Sequence, residues 1–242
     1  MKEGEIRKIK KKEIIEKLSD GIMTFDNAMS VIEQIQKSTK PTLMVEGRYD
    51  KLHRENFYAL KRRTIPFELI DCGGADNMRH FAIVFNQLNI DKERVLFLCD
   101  YDEKGIKTYN DVKNQKYKVI YTLDTQSLSK NDDKKRLKNY PIEMLYPLET
   151  LKKHNLVEEI ALSYYIDKLN KNLQIEKSLD FSKLPEKYKA FSKLQGKEKY
   201  KIKEDKKSIF ANEVIKTLDL NNDFKELENL IERIEKSLQI NS

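Results

Sequence analysis

The chain has no C-x-x-C pair, no G-x-x-x-x-G-K-[ST] phosphate loop and no apolar run approaching eighteen residues. The first absence removes the usual structural zinc site. Its two cysteines, Cys72 and Cys99, fall at the ends of predicted strands, and nothing asks for an oxidising compartment. The second absence removes a phosphate-loop ATPase from this chain, and the third removes a membrane span. The basic stretch MKEGEIRKIKKKEIIEKL never turns apolar, so it does not read as a signal peptide, and the expected location is cytoplasmic. His53, His80 and His154 are scattered on predicted helices with no carboxylate or cysteine at ligand spacing, which assigns them structural or solvated roles. There are no internal repeats and no long low-complexity tract.

What is present is charge. Charged residues are 36% of the 242 and hydrophobic ones 39%; the length suits one good core, or one core with a smaller appended subdomain, and the charge calls for strongly amphipathic helices. The net charge of +7 favours a polyanionic partner, an inference weakened by the excess of Lys over Arg. The basic excess is local. From Lys183 to Lys207 there are ten lysines against four acids, interleaved with Tyr188, Phe191 and Tyr200. That mixture suits backbone phosphates and base stacking, and equally a solvated helix face over ordinary core aromatics.

The order of elements gives the fold class. Helical spacing covers 5–18 and 25–36. Short apolar runs at 42–45, 67–72, 94–99 and 118–123 then alternate with helical patterns at 49–63, 77–88 and 106–114. The order β-α-β-α-β-α-β predicts an α/β fold with a parallel sheet of about four strands flanked by helices. Residues 124–139 are polar and read as a loop over the sheet's rim. From Glu149 onward the pattern is helical, with Leu151, Leu156, Val157, Ile160, Ala161, Tyr164 and Tyr165 on one face. Helices are expected again over 208–218 and 223–238. The chain thus divides into an N-terminal helical extension (1–39), the α/β domain (40–148) and a C-terminal helical region (149–242).

Two of the apolar runs end in acids. TLMV is followed by Glu46-Gly47 with Asp50 a helical turn on, and VLFLC by Asp100-Tyr-Asp102-Glu103-Lys-Gly105. Ligands of open α/β sheets sit at the carboxyl ends of strands, so if these two strands are neighbours Glu46, Asp100 and Asp102 meet at one rim. Three like charges there call for a cation, and all-oxygen ligands suit Mg²⁺. Asp100 and Asp102, two apart in extended chain, are the first choice of metal ligands.

A Glu-Gly after a first strand and an Asp-x-Asp-x-x-Gly after a later one resemble the Toprim family, over roughly residues 40 to 125. The resemblance implies metal-dependent phosphodiester chemistry, with Glu46 as metal ligand or general acid/base. Similarity to the nuclease branch known as OLD proteins adds Asp50 and Glu143 as further metal ligands and Lys207, or its neighbour Lys206, as a catalytic lysine at the scissile phosphate. Asp50 reads equally as a helix N-terminal acid favoured by the helix dipole, and Glu143 as a buried-edge acid paired with a lysine. Gly73-Gly74 reads as a strand-to-helix turn more than as a phosphate cradle. The implied activity is a Mg²⁺-dependent nuclease, with Mn²⁺ as a substitute, acting on DNA or RNA as an anti-phage effector under a separate ATPase partner. Two alternatives remain open: a non-catalytic nucleic-acid-binding or partner-docking module, and a primase-like nucleotidyl transferase. Assembly as a homo-oligomer is left open by the sequence.

Overall fold

The computed structural model describes residues 25–128, 139–160 and 196–240. The helix expected over 5–18, residues 129–138 of the rim loop, and Tyr188 and Phe191 of the basic stretch lie outside the described residues.

After helix α1 (Phe25–Lys37) the chain runs β1 (Thr42–Val45), α2 (Arg48–Leu60), β2 (Glu68–Asp71), α3 (Ala75–Gln87), β3 (Val95–Cys99), the two-residue β4 (Tyr101–Asp102), α4 (Glu103–Asn114) and β5 (Lys118–Tyr121). The four longer strands form one all-parallel sheet in the order β2-β1-β3-β5. This is the α/β class expected. Its central strands are buried on both faces, which is why they read as unbroken apolar runs. Leu43, Val45, Leu96 and Leu98 point into one core, while Met44, Val95, Phe97 and Cys99 point into the other. Alternation with period two divides the runs between the layers.

The layers differ in origin. The second core is closed by α1, α3 and α4 through Ile32, Ile35, Met78, Phe81, Phe85 and Val112. The first is closed by Phe57 and Tyr58 of α2 together with the chain's last third. From β1 the chain passes over one face to β2, then returns over the other face to β3. A constant hand of crossover requires that change of face when the direction reverses. The helices that follow β1 and β3 therefore lie on opposite faces, which opens a crevice between these strands at their carboxyl ends.

The C-terminal part corrects the reading of a helical face from Glu149 as far as Ile160; Ala161, Tyr164 and Tyr165 of that face lie outside the described residues. Helix α5 (Leu148–Lys153) stops at Asn155, whose φ of 54° is the left-handed conformation that ends helices, and the Leu156 N–H returns to the Leu151 carbonyl. A short β6 (Asn139–Tyr140) pairs antiparallel with β4, so the chain leaving the rim loop is fastened alongside Asp102. Val157–Glu159 is a further strand, β7, paired antiparallel with β8 (Tyr200–Ile202). The helix expected over 208–218 is two pieces, α6 (Lys207–Asn212) and a 3-10 turn (Val214–Thr217). The described lysines of the basic stretch are largely engaged within the fold: Lys197 with Glu226, Lys199 with Glu159, Lys201 with Glu158 and Lys207 with Glu204.

Helix α7 (Lys225–Ser237) buries Leu227, Leu230, Ile231 and Ile234. Burying each such side chain stabilises by about 1.5–3 kcal/mol. A polar contact fixes its register on α2: Glu235 accepts hydrogen bonds from Tyr58 Oη at 2.7 Å and Arg63 Nη2 at 2.9 Å. Glu235→Ala strands the buried Tyr58 hydroxyl and is expected to cost about 2–3 kcal/mol in urea unfolding. Arg63 is 46% exposed, and Arg63→Ala is expected to cost under about 1 kcal/mol. The reverse ranking would show that the exposed ion pair fastens the helix.

Candidate functional site

Glu46 is the first residue after β1 and Asp100 the first after β3. The strands are neighbours with Val45 opposite Leu98, so the two acids emerge side by side into the crevice. Glu46 Oε1 accepts the Asp100 N–H at 3.0 Å. Asp102 caps α4, its Oδ1 accepting the Gly105 N–H at 2.7 Å. Asp50, in the first turn of α2, accepts the Gly47 N–H at 3.1 Å. Glu143 comes from the 3-10 turn Ile142–Leu145 and is 2% exposed. Lys207 opens α6, its Nζ 3.0 Å from Glu204 Oε1.

All six of these residues line one cavity of about 250 Å³. A groove of about 640 Å³ adjoins it, walled by β8 and the residues after it, and shares Asp100, Asp102 and Lys207. Lys206 is not among the residues of either.

Glycines at two turns make the approach possible. At Gly105 a Cβ would collide with the Asp100 carbonyl and stand 3.0 Å from Glu46 Oε1, so only glycine lets α4 begin this close to both acids. Gly73 and Gly74 have φ of 73° and 131°, and the Gly74 N–H donates to the Glu46 carbonyl at 2.6 Å. The pair is a turn that holds the Glu46 backbone.

Sequence reasoning missed Thr122 and Arg54 behind the acids and read His53, which joins them there, as structural or solvated. Thr122, just past β5, donates its hydroxyl to Asp100 Oδ1 at 2.9 Å. Arg54 and His53, both 0% exposed, lie under the rim. Arg54 Nη1 donates to the Asp50 carbonyl and stands 3.8 Å from Asp50 Oδ1. His53 Nδ1 is 2.8 Å from Tyr146 Oη, and its Nε2 is 4.0 Å from Glu143 Oε1. Burial, then the nearby Arg54 and Lys207 charges, push the His53 pKa down to about 3, so the ring is neutral. The signal available was helical spacing alone, since His53 and Arg54 fall three and four residues after Asp50.

The electrostatics follow from crowding acids away from water. Burial, then repulsion from Asp50, raises the Glu46 pKa from the ordinary 4.5 to about 8. Burial raises Glu143 to about 7, against the pull of Lys207. Asp100 is raised by burial and by the Asp50, Glu46 and Glu143 charges, and Asp50 is raised by burial against the opposing charge of Arg54. Burial works against the Lys207 ammonium, yet Glu143, Glu204 and Asp100 outweigh it and its pKa is raised.

Among the described residues no three acid, histidine or cysteine side chains are already gathered as a closed metal-ligand set. The acids share a cavity without converging on a point, several of them held by backbone N–H groups. The chemistry of the donor set nonetheless fits a hard divalent cation: all its ligand atoms are oxygens, their ionised forms repel one another, and the buried Glu143 Oε2 has no hydrogen-bond partner. Comparison with protein-family models, with curated proteins and with solved structures finds no match. The geometry and chemistry of the cavity carry the functional reading.

Two measurements check this description. Glu46 and Glu143 ionise at higher pH folded than unfolded, so between about 4.5 and 8 the folded chain holds protons the unfolded chain has released. The metal-free protein is therefore expected to lose stability as pH rises through 4.5–8, and Glu46→Gln to flatten the decline. A Tm independent of pH over that range in chelator would contradict the crowding. Gly105→Ala is expected to cost about 2–3 kcal/mol in denaturant unfolding, because backbone and not a flexible side chain must yield.

Proposed function

We propose that this chain is a Toprim-type nuclease that uses a divalent metal ion to cut phosphodiester bonds in DNA or RNA. The carrying observation is that five acids and one lysine, drawn from separate segments of the chain, line a single cavity at the crevice between β1 and β3. Glu46, Asp50, Asp100, Asp102 and Glu143 are the residues that would hold Mg²⁺ or Mn²⁺. Such an ion supplies an activated water and offsets the charge developing on the leaving oxygen.

The protein's own groups contribute the rest. In the metal-free site burial and repulsion raise the Glu46 pKa to about 8, so Glu46 suits general acid/base work if the other acids hold the ion. Lys207 is held cationic at the cavity wall, where it attracts a phosphate oxygen. His53, neutral and buried, stands behind Glu143 with its Nε2 4.0 Å from Glu143 Oε1. Control by a separate ATPase, in an anti-phage setting, belongs to the same reading: the chain carries no phosphate loop of its own. Among the described residues no helix is long and apolar enough to cross a membrane.

The test is cleavage of single- and double-stranded DNA and RNA with Mg²⁺ and with chelator. Glu46→Ala is expected to lower the rate on the order of 10³-fold. The same change relieves repulsion, so it should leave the circular dichroism unchanged and raise the Tm of the metal-free protein at pH 8. Cutting that survives chelator, or is undiminished in the variant, would overturn the reading.

A further inference from the structure

Arg54 is the largest side chain that the described fold buries completely. It lies one helical turn after Asp50 on α2, donates Nη1 to the Asp50 carbonyl and stands 3.8 Å from Asp50 Oδ1. Asp100 adds a second attraction. Its Nε and Nη2, the edge an arginine offers to a planar anion, have no hydrogen-bond partner. A buried charge is costly, and apolar residues in place of the arginine and its acids together would fill the same space at less cost. What distinguishes arginine there is a permanent positive charge, since a guanidinium is not deprotonated in proteins. The groups beside it are two acids, Asp50 and Asp100, with neutral His53 and Tyr146.

We propose that Arg54 is a positioning residue of the acid cluster: a built-in cation behind Asp50 and Asp100 that offsets their repulsion and fixes the Asp50 backbone at the base of the cavity. It touches no substrate and acts through the two acids. Arg54 lets Asp50 and Asp100 sit together in the protein before any external cation arrives. The inference rests on the acids acting as one site, and it is measured first in chelator so that it is decided whether or not a cation binds.

The experiment is a double-variant cycle on the full chain. Thermal unfolding is followed in chelator and again with Mg²⁺ for the wild type, Arg54→Met, Arg54→Lys, Asp50→Asn and the Arg54→Met/Asp50→Asn pair. Arg54→Met is expected to lower the Tm in chelator by about 10 °C, because it leaves acids uncompensated. Adding Asp50→Asn should recover at least half of that loss. Arg54→Lys, which keeps the charge and loses the fork, should lie nearer the wild type than Arg54→Met. Mg²⁺ should raise the Tm of Arg54→Met by more than it raises the wild type. If Arg54→Met fails to fold and the pair folds, the proposal stands. Additive losses with no recovery, or a pair and an Arg54→Lys variant as damaged as Arg54→Met, overturn it, for Arg54 is then only filling space. A Tm unmoved by Mg²⁺ in every variant counts against the metal-dependent reading, while recovery or its absence in chelator still decides the role of Arg54.

Discussion

Like charges gathered away from water are the constraint on which this structure turns. Glu46, Asp50, Asp100 and Glu143 each hold their protons more tightly than a solvated carboxyl, in every case first because of burial and then, for all but Asp50, because of one another. No packing argument favours such a cluster. An apolar lining would be more stable, so the acids cost the fold stability. The local hydrogen bonds limit the cost: one oxygen each of Glu46, Asp50 and Asp102 takes a backbone N–H, and Asp100 takes the Thr122 hydroxyl.

The sheet makes the gathering possible. Reversal of strand order at β1 forces the connections after β1 and β3 onto opposite faces, and the crevice this leaves is where the two strands release Glu46 and Asp100. The last third of the chain then supplies a wall. Phe210 packs against His53 and Tyr146, which seats α6 and with it Lys207 against the rim. The core under this wall is continuous with that of the sheet, including Leu151, Ile202, Phe210 and Leu230 beside Leu43 and Leu96. The lysine is therefore placed by the same apolar contacts that stabilise the fold.

How much of this was legible depended on which physical signal each residue leaves. Buried parallel strands leave unbroken apolar runs, so VLFLC and TLMV located the sheet, and the acids directly after them located the rim. Leu227, Leu230, Ile231 and Ile234 declared α7 by period alone. Arg54 left no such signal, because a buried arginine and a solvated one look alike in a helical repeat. Val157–Glu159 and Tyr200–Ile202 are too short for alternation to show, and the residue that ends α5 is an asparagine whose left-handed backbone composition does not reveal. The Toprim resemblance drew attention to Glu143 and Lys207, which are distant in sequence from the rim motifs and share their cavity.

The same charge distribution constrains how a polyanion could reach the cavity. The adjoining groove presents Asp100, Asp102, Glu158, Glu204 and Asp205 against Lys201, Lys203 and Lys207. Lys201 and Lys207 are already paired with Glu158 and Glu204. The chain's overall excess of positive charge is thus not expressed at this entrance, where acids outnumber bases. Two unit charges at 4 Å interact by about 4 kcal/mol near a protein surface, so an incoming phosphate meets net repulsion until the acids are neutralised. On the nuclease reading, affinity for nucleic acid at this site must follow neutralisation of the acids rather than precede it. Lys207 then becomes available to a phosphate oxygen only by leaving Glu204, an exposed partner whose hold on it is weak.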